Sequence, residues 1–76
     1  MLTIRPKVQD IQTIRIKKGL STKQLADKAK LNALTILNIE NGASTPNPST
    51  ASKICAALDT SFDDLFELVD EKGEGA

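Results

Sequence analysis

The sequence predicts an all-α domain of five short helices, and two observations carry that expectation. The 76 residues are 39% hydrophobic, with neither Trp nor Tyr and only two Phe, so the core is aliphatic. Such a core suits a helical bundle better than a sheet rich in aromatics. In addition, Ser21, Asn32, Asn47 and Ser61 each stand where a helix-capping residue opens a helix. A chain of this length holds one small domain. Residues 8–69 are read as that domain, residues 1–7 as an N-terminal arm and residues 70–76 as a flexible tail.

The arm contains Pro6 and alternates weakly at Leu2 and Ile4, a pattern that a short edge strand would also show. Helix 1 runs from Val8 to Lys18, with Val8, Ile11 and Ile14 spaced three apart on its inner stripe. Lys17 and Lys18 suit the negative end of its dipole, and Gly19 stops it. Helix 2 opens on Ser21-Thr22-Lys23-Gln24, the pattern of a capping box with Ser21 as N-cap. Leu25, Ala26 and Ala29 are its inner face, and it stops near Lys30. Asn32 caps helix 3, which runs from Ala33 to about Asn41 with Ile36 and Ile39 inward; Asn41-Gly42 supplies a left-handed stop. After the loop of residues 43–47, Asn47 caps helix 4, and Pro48 takes the first helical position, where its missing N–H costs nothing. Helix 4 reaches Leu58 and is expected to bury Ile54, Cys55, Ala57 and Leu58. Ser61 is the expected N-cap of helix 5, where Asp63 and Asp64 are favoured by the dipole, and Phe62, Leu65 and Phe66 close the core.

Charge is unevenly distributed. Residues 1–58 carry nine Lys or Arg against three acids, a net +6, whereas residues 59–76 carry seven acids against Lys72, a net −6. The zero net charge of the whole conceals a basic body and an acidic end, and a basic body fits a polyanionic partner. Other classes find little support. There is no His and only one Cys, so common zinc patterns are excluded and Cys55 has no partner for an internal disulfide. No Gly-rich phosphate cradle or nucleophile–base pair is visible, so neither an enzyme, a cofactor, a metal nor a small-molecule ligand is expected. No stretch approaches the ~20 apolar residues of a membrane span. The first ten residues lack the apolar centre of a signal peptide, so the expected location is cytoplasmic.

Two amphipathic helices joined by a turn of about three residues, over residues 15–42, follow the order of a helix-turn-helix. The wider order of residues is also familiar: Gly19-Leu20-Ser21, Leu25-Ala26, Thr35-Ile36, Ile39-Glu40-Asn41-Gly42, Lys53-Ile54, Ala57-Leu58 and Ser61-Phe62-Asp63-Asp64-Leu65-Phe66. Over residues 8–68 the chain resembles the Cro/C1-type helix-turn-helix family, with no gap needed. The resemblance implies a five-helix lambda-repressor-like fold and a DNA-binding transcriptional regulator, a repressor that inserts helix 3 into the major groove of double-stranded DNA, often as a homodimer.

Carried onto this sequence, the base-reading positions are Asn32, Ala33, Leu34, Thr35 and Asn38. Asn38 has the chemistry to pair with adenine and Thr35 to bond a base or a phosphate, while Ala33 and Leu34 offer apolar contact, for example to a thymine methyl. This is a departure, since the family often places polar residues or Arg there. Phosphate contacts fall on Thr22 and Lys23 at the start of helix 2, on the N–H groups from Asn41 to Ser44, and on the Ser44 and Thr45 hydroxyls. Arg15 and Glu40 match a structural ion pair that ties helix 1 to the end of helix 3. Lys30 departs from the Gly usual at the turn, so either the turn differs or the chain tolerates a left-handed lysine. Leu68 and Val69 are dimer candidates, placing two reading helices ~34 Å apart. The apolar Ala33, Leu34 and Leu37 equally suit a second reading, a protein-binding module of the same fold such as an antitoxin or anti-repressor partner.

Overall fold

The computed structural model describes residues 2–70. The chain runs β1 (Leu2–Pro6), α1 (Val8–Lys17), α2 (Thr22–Ala29), α3 (Ala33–Glu40), α4 (Pro48–Leu58), α5 (Phe62–Leu65) and β2 (Phe66–Asp70). The five helices occur in the expected order, but the fold is not strictly all-α. β1 and β2 pair antiparallel, Ile4 opposite Leu68 and Pro6 opposite Phe66. The sheet forms because α5 lasts only four residues before Phe66 turns to extended backbone at φ −138°. The following Glu67-Leu68-Val69-Asp70 then takes up the backbone hydrogen-bonding groups of residues 2–6, which would otherwise lack partners. Residues 1–7, expected as an arm or an edge strand, thus contain a strand whose Ile4 belongs to the core. Of the expected tail, residues 71–76 lie outside the described residues, and Asp70 closes β2.

Four helices end in one way. Gly19, Lys30, Gly42 and Asp59 all have left-handed backbone, with φ of 74°, 59°, 74° and 53°. In each case the next residue donates its N–H five residues back: Leu20 to Arg15, Leu31 to Ala26, Ala43 to Asn38 and Thr60 to Cys55. This is the Schellman closure, which satisfies carbonyls that a helix end leaves open. Two of the four sites are filled by residues with a Cβ. Lys30 adopts the left-handed conformation, at a cost on the order of 1 kcal/mol.

The starts follow the sequence at three of four sites. Ser21 and Gln24 make a reciprocal capping box, Asn32 accepts from the Leu34 N–H, and Asn47 accepts from the Thr50 N–H. Ser61 differs from expectation: its Oγ donates to the Asp64 carboxylate at 2.9 Å and makes no bond to the helix backbone.

Ile11, Leu25, Ile36, Ile39, Ile54, Leu58, Leu65 and Phe66 form the fully buried centre, one or more from each helix and from β2. Cys55, expected inside, is only half-buried, and Phe62 is half-buried with its ring 5.4 Å from that of Phe66. The start of α1 is fastened to α5: the Lys7 N–H donates to the Leu65 carbonyl and the Lys7 ammonium to the Asp63 carbonyl, both at 2.7 Å.

Candidate nucleic-acid interface

Helix α3 has one face fixed by the core and one left to solvent. Ile36, Ile39 and Glu40 point inward and are buried. At 100° per residue the opposite side is centred on Leu34, with Asn38 one turn further on and Leu37 beside them. Exposure agrees with this wheel: Leu34 is 60% exposed and Leu37 46%. Asn38 is half-buried on that same side, Thr35 is half-buried on the flank, and Ala33 and the capping Asn32 are exposed at the N-terminal end. The outer ridge of α3 therefore centres on a leucine, with the Asn38 amide as its polar member.

The position of α3 is set at both ends. The Lys30 turn joins it to α2, and Leu31 packs against the core. At the other end Arg15 of α1 grips Glu40 in a two-pronged pair: Nε donates to Oε2 at 2.7 Å and Nη2 to Oε1 at 3.1 Å. Glu40 is the one buried charged residue among those described. Arg15 also donates through Nη1 to the Leu20 carbonyl at 2.8 Å, and the Gln12 amide donates to the Glu40 carbonyl at 3.4 Å. Sequence reading missed both of these supporting bonds, because main-chain acceptors leave no mark in residue type.

Around α3 lie the other expected contact residues. Lys23 is exposed and Thr22 half-buried at the start of α2. Their N–H groups precede the first intrahelical donor and face outward at the positive end of the helix dipole. Asn41, Ser44 and Thr45 are exposed beyond α3. The expected row of free N–H groups from Asn41 to Ser44 is shortened, however. Those of Asn41, Gly42 and Ala43 donate to the carbonyls of Leu37, Ile39 and Asn38, closing α3. What remains there for an anion is the Asn41 side chain, the Ser44 N–H and the hydroxyls of Ser44 and Thr45.

Three further lysines gather elsewhere. Lys28, Lys30 and Lys53 line a shallow groove of about 330 Å³ between the end of α2 and α4, floored by Ala29, Ala56 and Ala57. The expected dimer candidates sit on β2, with Leu68 exposed and Val69 half-buried. Leu68 lines a second groove with Leu2, Ile4, Pro46 and Pro48. Burial pushes the Cys55 thiol above its ordinary value of 9.0, and the nearby Asp64 carboxylate adds to the shift. Cys55 is therefore a neutral thiol near pH 7 and a poor nucleophile. Among the described residues no group of His, Cys, Asp or Glu is placed to hold a metal ion, and no helix is long and apolar enough to cross a membrane.

An α2–turn–α3 unit braced by α1 and α4, with the outer side of α3 free, defines a helix-turn-helix domain. A model of the helix-turn-helix family matches residues 11–65, most of the chain, and the protein belongs to that family. No curated protein matches. Among solved structures, the restriction-modification controller protein C.AhdI from Aeromonas hydrophila is 26% identical, with a TM-score of 0.72 over 75% of this chain and 86% of that one. An HTH_3 family transcriptional regulator from Vibrio cholerae is 28% identical with a TM-score of 0.69, over 75% of this chain but only 32% of that longer one. The hypothetical transcription factor NHTF from Neisseria shares the fold at 24% identity and a TM-score of 0.68, over 78% of this chain and 75% of that one. Family and neighbours together support a DNA-binding transcriptional regulator.

Proposed function

We propose that this protein is a sequence-specific repressor that lays α3 into the major groove and acts as a homodimer in the cytoplasm. The observation that supports it most is the free outer side of α3, held at both ends by the Lys30 turn and the Arg15–Glu40 pair. A groove ~12 Å wide accepts one helix with its side chains. On this reading Asn32, Ala33, Leu34, Thr35 and Asn38 meet base edges. Thr22, Lys23, Asn41, Ser44 and Thr45 hold the flanking phosphates through ammonium, amide, hydroxyl and N–H donors. Their task is to fix the register of α3, and Lys23 adds the salt-dependent share of the affinity. Leu68 and Val69 on β2 supply the dimer contact that sets two α3 helices one DNA turn apart.

The exposed Leu34 and Leu37 favour a second reading, a protein-binding module of the same fold. Selecting bound duplexes from a random library at ~50 and ~200 mM salt separates the two. A regulator enriches a palindrome with half-sites about 10 base pairs apart and loses affinity linearly in log salt. Weak binding without enrichment refutes the regulator and leaves the protein-binding module.

A further inference from the structure

We infer that the half-site read by α3 is a short A·T-rich duplex, and that Leu34 selects it by packing on thymine methyl groups. The inference rests on the groove-reading role proposed above and names its target. The side chain at the centre of the outer ridge of α3 is a leucine, 60% exposed, with the exposed Leu37 and Ala33 beside it. Among the base edges of the major groove only thymine offers an apolar group, its C5 methyl. Against guanine N7 and O6 or the cytosine amino group, the same leucine would strip water from a polar edge and return no hydrogen bond.

The next residue on the ridge reinforces the choice. Asn38 lies one turn from Leu34, about 5–6 Å away on the helix surface, and its amide matches adenine N6 and N7. That spacing is under two base steps of ~3.4 Å, so a thymine contact and an adenine contact fall on neighbouring pairs. The usual bidentate partner of guanine N7 and O6 is missing, because α3 contains neither Lys nor Arg. The nearest lysine in sequence, Lys30, turns to the groove it shares with Lys28 and Lys53 beside α4.

The test uses the full 76-residue chain and the duplex obtained by selection, read by fluorescence anisotropy. Thymines of the half-site are replaced one at a time by deoxyuridine, which removes the methyl and nothing else. The expected result is a half-site of A·T pairs, about fourfold weaker binding at a thymine under Leu34, and no T-versus-U difference for Leu34→Ala. Because Leu34 is largely exposed, Leu34→Ala keeps the native melting temperature, so loss of discrimination is not loss of fold. A half-site centred on G·C pairs, or uracil bound as well as thymine by the native chain, overturns the inference while leaving the regulator intact. No enriched duplex at all overturns the groove-reading role itself, and this inference with it.

Discussion

Replacing Arg15 by Met is expected to remove a large part of the stability of this domain. Arg15 makes three hydrogen bonds from one side chain, two to the Glu40 carboxylate and one to the Leu20 carbonyl. The side chains of Arg15 and Glu40 are only 13% and 4% exposed, so the substitution strands a carboxylate with little access to water. Breaking a buried pair from one side costs ~3–5 kcal/mol, chiefly through the uncompensated charge. A domain of this size has a total stability of roughly 4–11 kcal/mol, so the single variant loses about a quarter of it or more. At ~4–8 °C per kcal/mol the melting temperature falls by at least about 12 °C. The assay is thermal and urea unfolding by circular dichroism, with Glu40→Leu and the double variant completing a cycle. Replacing both charges by apolar groups removes the stranding, so the double variant recovers all but the ~1–3 kcal/mol tied to the orphaned Leu20 carbonyl. With each single variant at ~3–5 kcal/mol and the double at ~1–3, the effects fall short of additivity by at least ~3 kcal/mol. An unchanged melting temperature for Arg15→Met, or single effects that simply add, would refute the argument that the pair acts as one buried unit.

Other perturbations test other parts of the fold. Lys30→Gly relieves a left-handed residue carrying a Cβ and should raise stability by up to ~1 kcal/mol; Asp59→Gly gains less, since Asp tolerates that conformation better. Comparing the two urea midpoints checks the order, and a loss for Lys30→Gly would contradict it. Ile4→Ala should cost ~2–5 kcal/mol because β1 contributes this side chain to the core; a cost typical of a loose arm, under ~0.5 kcal/mol, would show that the strand is not integral. Cys55 should react slowly with iodoacetamide near pH 7, and its rate should still be climbing past pH 9.0, where that of an exposed thiol levels off, because its folded thiol ionises later. The sign for stability follows: the contribution of the buried neutral thiol is complete below pH 9.0 and is lost as pH rises beyond it, when the unfolded thiol ionises first. Alkylation as fast as that of a free thiol at pH 8 would contradict the burial.

The helices were legible because each carries its own local instructions. Ser21, Asn32 and Asn47 supply hydrogen-bond acceptors to the N–H groups that a helix start leaves open, and Gly19 and Gly42 supply positive φ at the ends. Those effects act within one turn, so residue type and spacing suffice to read them. The left-handed Asp59 carried a weaker mark, since Asp tolerates positive φ but takes it far less readily than Gly. Ser61 carried a mark that the fold did not use, its hydroxyl turning to a carboxylate instead of the backbone.

The amino-acid sequence alone determined the aliphatic core, the order of the five helices and the turn between α2 and α3, all of which depend on contacts within a few residues. Tertiary structure alone decided the rest. Pairing of Leu2–Pro6 with Phe66–Asp70 joins segments some 60 residues apart; the first shows only a weak strand-like alternation, and the second reads as the end of a helix. For α3 the sequence spacing already put Ile36 and Ile39 inward; what packing decided was how far the outer residues stay open, leaving Leu34 60% and Leu37 46% exposed to meet a partner. For charge, the family resemblance pointed to the Arg15–Glu40 pair but local rules could not: a carboxylate is costly to bury, and Glu40 lies inside because folding brings the guanidinium of Arg15, 25 residues earlier, within 2.7 Å of it.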